Sequence, residues 1–287
     1  MLSEAESIAR DHFSSHLAPL IVLTEQTESL YRRAMGAMAD HPRPGAAPKV
    51  GLILTSRLTN DLRVCSFSAQ LGYGIRALLV GATIVEVVGA LAYVGDSESR
   101  AAHWAEHSDL RHSYPRKVEE GIKALLSSLG ISSPGAKENW YRAYTFMCTA
   151  KHGNPLILML HGLRIDRSGC SYPSGPDCSA FGTPLSAEAL YNAVFFGASG
   201  VYVAIGHCAE ETLLAQLRAE ALRITEDLHG LELWFTELFN AGQEESAQGV
   251  VSQVQTQAIV SQLNSETERL RRETDRRRRG SSPRLTQ

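Results

Sequence analysis

The segment IRALLVGATIVEVVGALAYV, from Ile75 to Val94, decides the fold. Its length suits a bilayer span, which takes about 20 apolar residues, but Arg76 and Glu86 interrupt it. The segment is apolar nearly all round, which is typical of a helix in the middle of a bundle. We therefore predict a central buried helix at about residues 75–94 and no membrane span. At 100° per residue, one side of this helix forms a seam of small or short residues for close packing. The seam consists of Gly74, Ala77, Gly81, Val85 and Gly89.

The rest of the chain also has a helical pattern. Ala, Leu, Glu, Arg and Gln dominate, and the alternation with period 2 that marks strands is absent over long stretches. Loop signals separate the expected helices, which are residues 3–40 with a break near Pro19, 49–70, 97–109, 115–129, 137–152 and 186–208. Residues 164–184 are rich in Gly, Pro, Ser and Asp and predict a long exposed loop. The predicted fold class is an all-α multi-helix bundle over residues 1–240.

Residues 241–287 are predicted to form a polar helix and an Arg-rich, partly disordered tail. From Glu266 onward the chain has eight arginines and four acidic residues. Because the whole chain has a formal net charge of -3, the remainder is acidic and only the tail is a candidate for attracting nucleic acid. The arginines proposed for phosphate contacts are Arg269, Arg272, Arg276, Arg277, Arg278 and Arg279. The interleaved acidic residues favour instead a solvated helix with ion pairs one turn apart.

Composition predicts a cytoplasmic protein without a metal or another cofactor. The first ten residues have no basic start and no apolar run, so no secretory signal is expected. The five cysteines are scattered and odd in number, which favours reduced thiols. Cys170 and Cys178 have seven residues between them, which does not match the short pairs of zinc sites. Neither a glycine-rich phosphate loop nor a Gly-x-Ser-x-Gly motif occurs.

A regular apolar stripe follows residue 216. Its members are Leu217, Ala221, Ile224, Leu228, Leu231, Phe235 and Leu238. Steps of four and three residues make a heptad pattern, which predicts a contact with another helix. That helix belongs either to the same chain, to a second copy in a homodimer or to a partner protein. Gly230 interrupts the stripe and argues against a continuous coiled coil.

Glu86 is the most informative single residue because it lies on a face of the central helix that is expected to be buried. A buried carboxylate must be paired, hydrogen-bonded or protonated. It is therefore either a general base or ligand in the bundle interior, or a structural partner of another buried group.

His152 is predicted to end the helix that carries Tyr144. The negative end of the helix dipole favours a protonated imidazole there. His152 is then an acid, a base or an RNA-contacting group, or it bonds to local carbonyls. Lys151 and Asn154 are neighbours that share these alternatives.

Several motifs between residues 57 and 162 carry a resemblance. They are Leu71-Gly-Tyr-Gly-Ile-Arg-Ala-Leu-Leu, Val85-Glu86, Tyr93-Val-Gly-Asp96, and the run from Tyr144 to Lys151-His152-Gly-Asn-Pro155. In these motifs the chain resembles a family of bacterial all-helical proteins that is distantly similar to HEPN domains. In that family an Arg lies one turn before the Glu, whereas here Gly81-Ala-Thr-Ile-Val precedes Glu86 and leaves Arg76 or Arg63 as a substitute in space. The Arg that precedes the His by four to six residues in HEPN ribonucleases is absent, since Arg142 lies ten residues before His152.

The resemblance implies a helical accessory or defence protein that acts through protein or RNA contacts. An alternative is a metal-independent ribonuclease that uses His152 and Glu86, with Arg76 and Tyr144 beside them. A further alternative is a scaffold that the basic tail tethers to nucleic acid.

Overall fold

The computed structural model describes residues 3–40, 43–95, 97–107, 115, 117–133, 135–151, 164–166, 169–171, 175–178, 182–204, 206, 211–238 and 240. Its helices are α1 Glu4–His16, α2 Ala18–Asp40, α3 Ala46–Gln70, α4 Gly74–Val94, α5 Glu98–Glu106, α6 Val118–Ser128, α7 Ala136–Lys151, α8 Gly182–Ala204 and α9 Glu211–Gly230. These helices pack into a bundle, so the predicted all-α fold class is confirmed. One small antiparallel hairpin, β1 Arg164–Asp166 with β2 Gly169–Ser171, accompanies them.

Helix α4 is the centre of the bundle, as predicted. It packs against α3, α5, α6, α7 and α8. Leu78, Ile84, Val88 and Leu91 are fully buried because helices surround them on several sides. Among the described residues α4 is also the one helix long and apolar enough to cross a membrane, and 72% of its most apolar window is buried inside the protein. Its hydrophobicity is therefore largely used in packing against its own chain.

The small-residue seam allows close contacts with three different helices. A Cβ added to Gly74 would meet Ser186 of α8, and one added to Gly81 would lie 2.8 Å from Met147 Sδ of α7. A Cβ added to Gly89 would lie 3.1 Å from the Cα of Gly121 in α6. Side chains at these positions would push the neighbouring helices away, so the close packing around α4 depends on the seam.

The break near Pro19 separates α1 from α2 as expected. Ser3 and Glu6 form a reciprocal capping box at the start of α1. The chain leaves that helix at Leu17, whose side chain is fully buried and whose N–H donates to Phe13 O at 2.8 Å. Pro19 lies in the first turn of α2. The N–H groups of a first turn have no acceptor inside the helix, so the N–H that proline lacks costs no helical hydrogen bond.

The prediction that residues 164–184 form an exposed loop is wrong in two places. Residues 164–166 and 169–171 pair as the hairpin, with Ile165 opposite Cys170. Gly182, Thr183 and Pro184 are buried in the first turn of α8. The helix starts earlier than its composition indicates, because Pro is tolerated in a first turn. Within the predicted loop, the described residues 175–178 form neither strand nor helix.

The apolar stripe is used inside the chain. Leu217, Ala221, Ile224 and Leu228 are buried on α9, which packs against α8 and α2. Arg33 of α2 reinforces this contact through two hydrogen bonds to the Glu220 carboxylate, at 2.6 and 2.9 Å. After Gly230 the helix is interrupted at Leu231 and resumes over residues 232–238. The stripe therefore meets another helix of the same chain, the first of the predicted alternatives.

Residues 241–287, which include the Arg-rich tail, lie outside the described part of the chain. His152 also lies outside it.

Candidate functional site

Helices α4 and α7 bring Glu86, Tyr144 and Lys151 together. The Tyr144 hydroxyl donates to Glu86 Oε1 at 2.8 Å. The Lys151 ammonium group donates to the same oxygen at 2.7 Å. The side chain of Glu86 is 18% exposed and that of Lys151 is 34% exposed. The carboxylate expected to be buried on α4 is therefore mostly shielded from water, and it is both paired and hydrogen-bonded.

The packing of α7 explains this arrangement. Met147 is fully buried against Gly81, where the absent side chain makes room for its sulfur. Trp140, almost two turns earlier, packs edge-to-face on Phe195 and Phe196 of α8. Tyr144 and Lys151 are seven residues apart and so lie on one face of α7. Lysine side chains in helices point back toward the helix N-terminus, which brings the Lys151 ammonium group to the carboxylate that Tyr144 also contacts.

Cys148 belongs to the same face and completes the Glu86 cluster, which consists of Glu86, Tyr144, Cys148 and Lys151. Burial is the main reason that the pKa of Tyr144 is raised, and its hydrogen bonds with Cys148 and Glu86 add to that shift. Burial also raises the pKa of the Cys148 thiol, and Glu86 adds to the shift while Tyr144 and Lys151 oppose it. Both groups are therefore held in their neutral forms at neutral pH, and the charged pair is Glu86 with Lys151.

The cluster fixes the position of one cationic group, the Lys151 ammonium group, at the edge of the bundle. Lys151 has a third of its side chain exposed, and an ammonium group has three donors, of which Glu86 takes one. The remaining donors of Lys151 can bind an anionic group such as a phosphate. The Tyr144 hydroxyl, whose proton is engaged with Glu86, serves as a positioning group in this arrangement.

The predicted site residues are only partly brought together. Tyr144 contacts Glu86 as expected for a shared site. Arg76 is exposed and lies ten residues before Glu86 on α4, which is about 15 Å along the helix axis. Arg63 is 2.8 Å from Glu28 and forms an ion pair there. Neither arginine replaces the missing Arg next to Glu86, and Lys151 supplies the positive charge instead.

Two predictions about this site concern residues outside the described part of the chain. His152 follows Lys151 directly in the sequence, so its role stays a prediction. The same holds for the Arg-rich tail.

Sequence reasoning treated Lys151 as a neighbour of His152 and did not pair it with Glu86. The spacing of 144, 148 and 151 places these residues on one helical face, and this was the signal that could have identified the cluster. Lys151 lies 65 residues after Glu86 in the chain, and nothing in the sequence indicated that its segment would pack against Glu86.

A second feature of α7 lies next to the cluster. Tyr141 and Phe146 are large side chains that are 39% and 38% exposed, and Arg142 and Thr145 are exposed between them. At 100° per residue these side chains cover one continuous solvent-facing side of the helix, here called the α7 face. Exposed aromatic rings that flank an arginine can stack on planar ligands.

No family model, curated protein or solved structure matches this chain. Within the described residues, no three His, Cys, Asp or Glu side chains are grouped so that they could hold a metal ion.

Proposed function

We propose that this protein is a HEPN-like accessory or defence protein that binds single-stranded RNA through the α7 face. The observation that carries the proposal is the exposure of Tyr141 and Phe146 on either side of Arg142 on α7. Aromatic rings stack on unpaired bases without strong sequence preference, and cations next to them contact the phosphates. The α7 face has both components within about two turns of helix.

The charge distribution supports a local RNA contact rather than a broad basic surface. The residues before the Arg-rich tail are acidic as a set, so RNA binding through them must come from a small number of well-placed groups. On the α7 face Arg142 is exposed, and it is the group that can contact phosphates there. Stacking contributes about 1–3 kcal/mol per base and depends less on salt than phosphate contacts do.

The test is fluorescence anisotropy with a labelled, unstructured uridine-rich RNA and the full chain. Phe146→Ala and Arg142→Ala are each expected to weaken binding by roughly fivefold to a hundredfold, as expected for loss of one stacked base or its neighbouring cation. Phe67→Ala is the matched control, because Phe67 is 57% exposed on α3 and away from α7. Arg218→Ala on α9 is the control for Arg142. Equal affinity of all four variants would contradict the proposal.

The Arg-rich tail needs a separate control because it can bind nucleic acid by charge alone. The full chain and a chain that ends at residue 268 are compared at low and at moderate salt. If the α7 face binds RNA, Phe146→Ala weakens RNA binding in the shortened chain as it does in the full chain. If RNA binding disappears with the tail while Phe146→Ala has no effect, the tethered-scaffold alternative is correct instead.

A second candidate function is RNA cleavage. It is favoured by the contact of Lys151 with Glu86, because His152 is the next residue in the chain. In this proposal His152 is the acid or base and Lys151 stabilises the charge that develops on the phosphate. His152→Ala is expected to abolish cleavage while the protein stays folded by circular dichroism and keeps its RNA affinity. Failure of the wild-type protein to cleave a mixed set of structured and unstructured RNAs would remove this candidate.

A further inference from the structure

The two exposed rings of α7 border the buried side of the helix from opposite directions. At 100° per residue, Tyr141 lies next to Cys148, seven residues later, and Phe146 lies next to Ala150, one turn later. Cys148 and Ala150 are both buried, whereas Tyr141 and Phe146 are 39% and 38% exposed. Each ring therefore forms one edge of the α7 face, and the solvent-facing surface of the helix lies between them.

A polar strip occupies the surface between the two rings. It consists of Glu138, Arg142, Thr145 and Thr149, which follow one another at steps of three or four residues. The Thr145 hydroxyl donates to the Tyr141 backbone carbonyl at 2.8 Å. The Thr149 hydroxyl donates to the Phe146 backbone carbonyl at 2.5 Å. Both hydroxyl protons are used inside the helix, so Arg142 is the group of the strip that can donate to a phosphate.

The separation of the rings restricts what can occupy both of them. Tyr141 and Phe146 are five residues apart, which places them about 7.5 Å apart along the helix axis and about 140° apart around it. On a helix about 10–12 Å wide with its side chains, these offsets put the rings roughly 12–13 Å apart. Bases that are stacked on one another in a strand repeat at about 3.4 Å. Two bases that occupy both rings must therefore be unstacked from each other.

We infer that the α7 face selects RNA strands whose bases are not stacked on one another, and that it therefore prefers uridine-rich to adenosine-rich single strands. The inference rests on the proposed binding of RNA by this face. A base that occupies one of the rings must first separate from its neighbour in the strand, which costs free energy. Adenines stack on their neighbours more strongly than uracils do, so an adenosine-rich strand loses more in this step.

The charges of the polar strip determine where the strand crosses the helix. Arg142 lies between the two rings and can hold the phosphate that joins the separated nucleotides. The carboxylate of Glu138, one turn before Arg142, repels phosphates. The strand therefore crosses α7 on the side of Arg142 where Thr145 lies, with its bases on the two edges of the face.

The test compares a uridine hexamer with an adenosine hexamer as competitors of the labelled uridine-rich RNA for the full chain. The uridine hexamer is expected to bind at least about fivefold more tightly, because its bases separate more easily. UMP and AMP are the matched control ligands. A single nucleotide has no neighbour from which to separate, so AMP should bind at least as tightly as UMP through its larger ring.

The outcomes distinguish this inference from the proposed function. Hexamers of equal affinity, or a preference for uridine that is as large in the mononucleotides as in the hexamers, would overturn the selection of unstacked strands and leave RNA binding in place. If neither hexamer competes, the proposed function fails and the inference fails with it.

Removal of one ring tests whether the spacing of the two rings causes the preference. Phe146→Ala leaves Tyr141 as a single ring, which requires no separation between two bound bases, so the ratio of uridine to adenosine affinity is expected to fall by about threefold or more. Phe67→Ala on α3 keeps both rings and should keep the wild-type ratio. The Arg-rich tail is present in every protein compared, and phosphate contacts do not distinguish bases. An unchanged ratio in Phe146→Ala that is folded by circular dichroism would refute the inference.

Discussion

The Lys151 ammonium group lies 2.7 Å from Glu86 Oε1, although 65 residues separate the two in the chain. This contact explains how the most apolar helix of the protein accommodates a carboxylate. Glu86 faces α7 at the edge of the core, where a lysine and a tyrosine hydroxyl replace the water that it loses. A polar contact between otherwise apolar helix surfaces also restricts how α7 can slide along α4, since only one register joins these partners.

The Glu86–Lys151 pair is expected to contribute a measurable coupling energy. A double-mutant cycle with Glu86→Gln and Lys151→Met, followed by urea unfolding, should give about 1 kcal/mol, because the carboxylate is mostly shielded while the lysine is partly exposed. The control cycle uses Arg57 and Asp61, an i, i+4 pair at 3.4 Å on α3 with an exposed arginine. That pair should give about 0.3–0.5 kcal/mol. A coupling for Glu86 and Lys151 no larger than that of the control would show that the contact is not a structural link.

The close contact between Gly89 and Gly121 predicts that a side chain at either position destabilises the protein. A Cβ on Gly121 would lie 2.8 Å from the Cα of Gly89 and 2.9 Å from its carbonyl carbon, both backbone atoms that cannot rotate away. Gly121→Ala is therefore expected to lower the free energy of unfolding by about 1–3 kcal/mol despite the better helix propensity of alanine. Gly36→Ala is the matched control, since a Cβ there meets nothing within 4 Å. It should raise stability by about 0.5–1 kcal/mol, and a similar gain from Gly121→Ala would contradict the close helix contact.

The internal use of the apolar stripe is testable with two leucines close together in the sequence. Leu228 is fully buried on α9, whereas Leu233 is 80% exposed in the helical residues that follow. Leu228→Ala should cost about 2–5 kcal/mol of unfolding free energy, measured by chemical denaturation, because a cavity remains in the core. Leu233→Ala should change it by less than about 0.5 kcal/mol. If Leu228→Ala were neutral in stability but changed the molar mass in light scattering, the stripe would be an interface between copies of the chain.

The sequence predicted those parts of the fold that depend on local pattern. The apolar run from residue 75, the proline near residue 19 and the heptad spacing after residue 216 each determine a helix or its end from neighbours only a few residues away. The start of α8 at Gly182 was missed because Gly, Thr and Pro have poor helix propensity, and burial overrides that preference there. The hairpin at residues 164–171 was missed because strands of three residues are too short to show a period.

The candidate site was less predictable because its partners come from distant segments. The sequence identified Glu86 as a carboxylate in need of a partner and named Tyr144 beside it, and both are in contact. It proposed an arginine as the missing cation, yet Arg63 is engaged by Glu28 and Arg76 faces solvent. The identity of the cation depends on how α7 packs on Gly81, which is a tertiary property. The exposed rings of the α7 face are likewise visible only after burial is known.

The raised pKa of Glu188 predicts how stability changes with pH. Burial favours the protonated form of this carboxyl group in the folded protein, so its folded-state pKa lies above 4.5, the ordinary value for a glutamate side chain. Between these two values the folded state binds more protons than the unfolded state, and stability must fall as pH rises through that window. Glu188→Gln removes this term, so its stability relative to the wild type should increase from acidic to neutral pH. Urea unfolding between about pH 4 and about pH 8 measures the difference.

Glu220 provides a contrast of opposite sign within the same fold. Hydrogen bonds from Arg33 lower the pKa of Glu220, so its contribution to stability is present above the ordinary glutamate pKa and is lost as pH falls through the folded-state pKa. The relative stability of Glu220→Gln should therefore decrease, not increase, as pH rises. If both variants changed in the same direction, the difference in their surroundings would not control these titrations. The stability difference between Glu188→Gln and the wild type could also be independent of pH. In that case a charge that the described residues do not supply would compensate the carboxylate of Glu188 in solution.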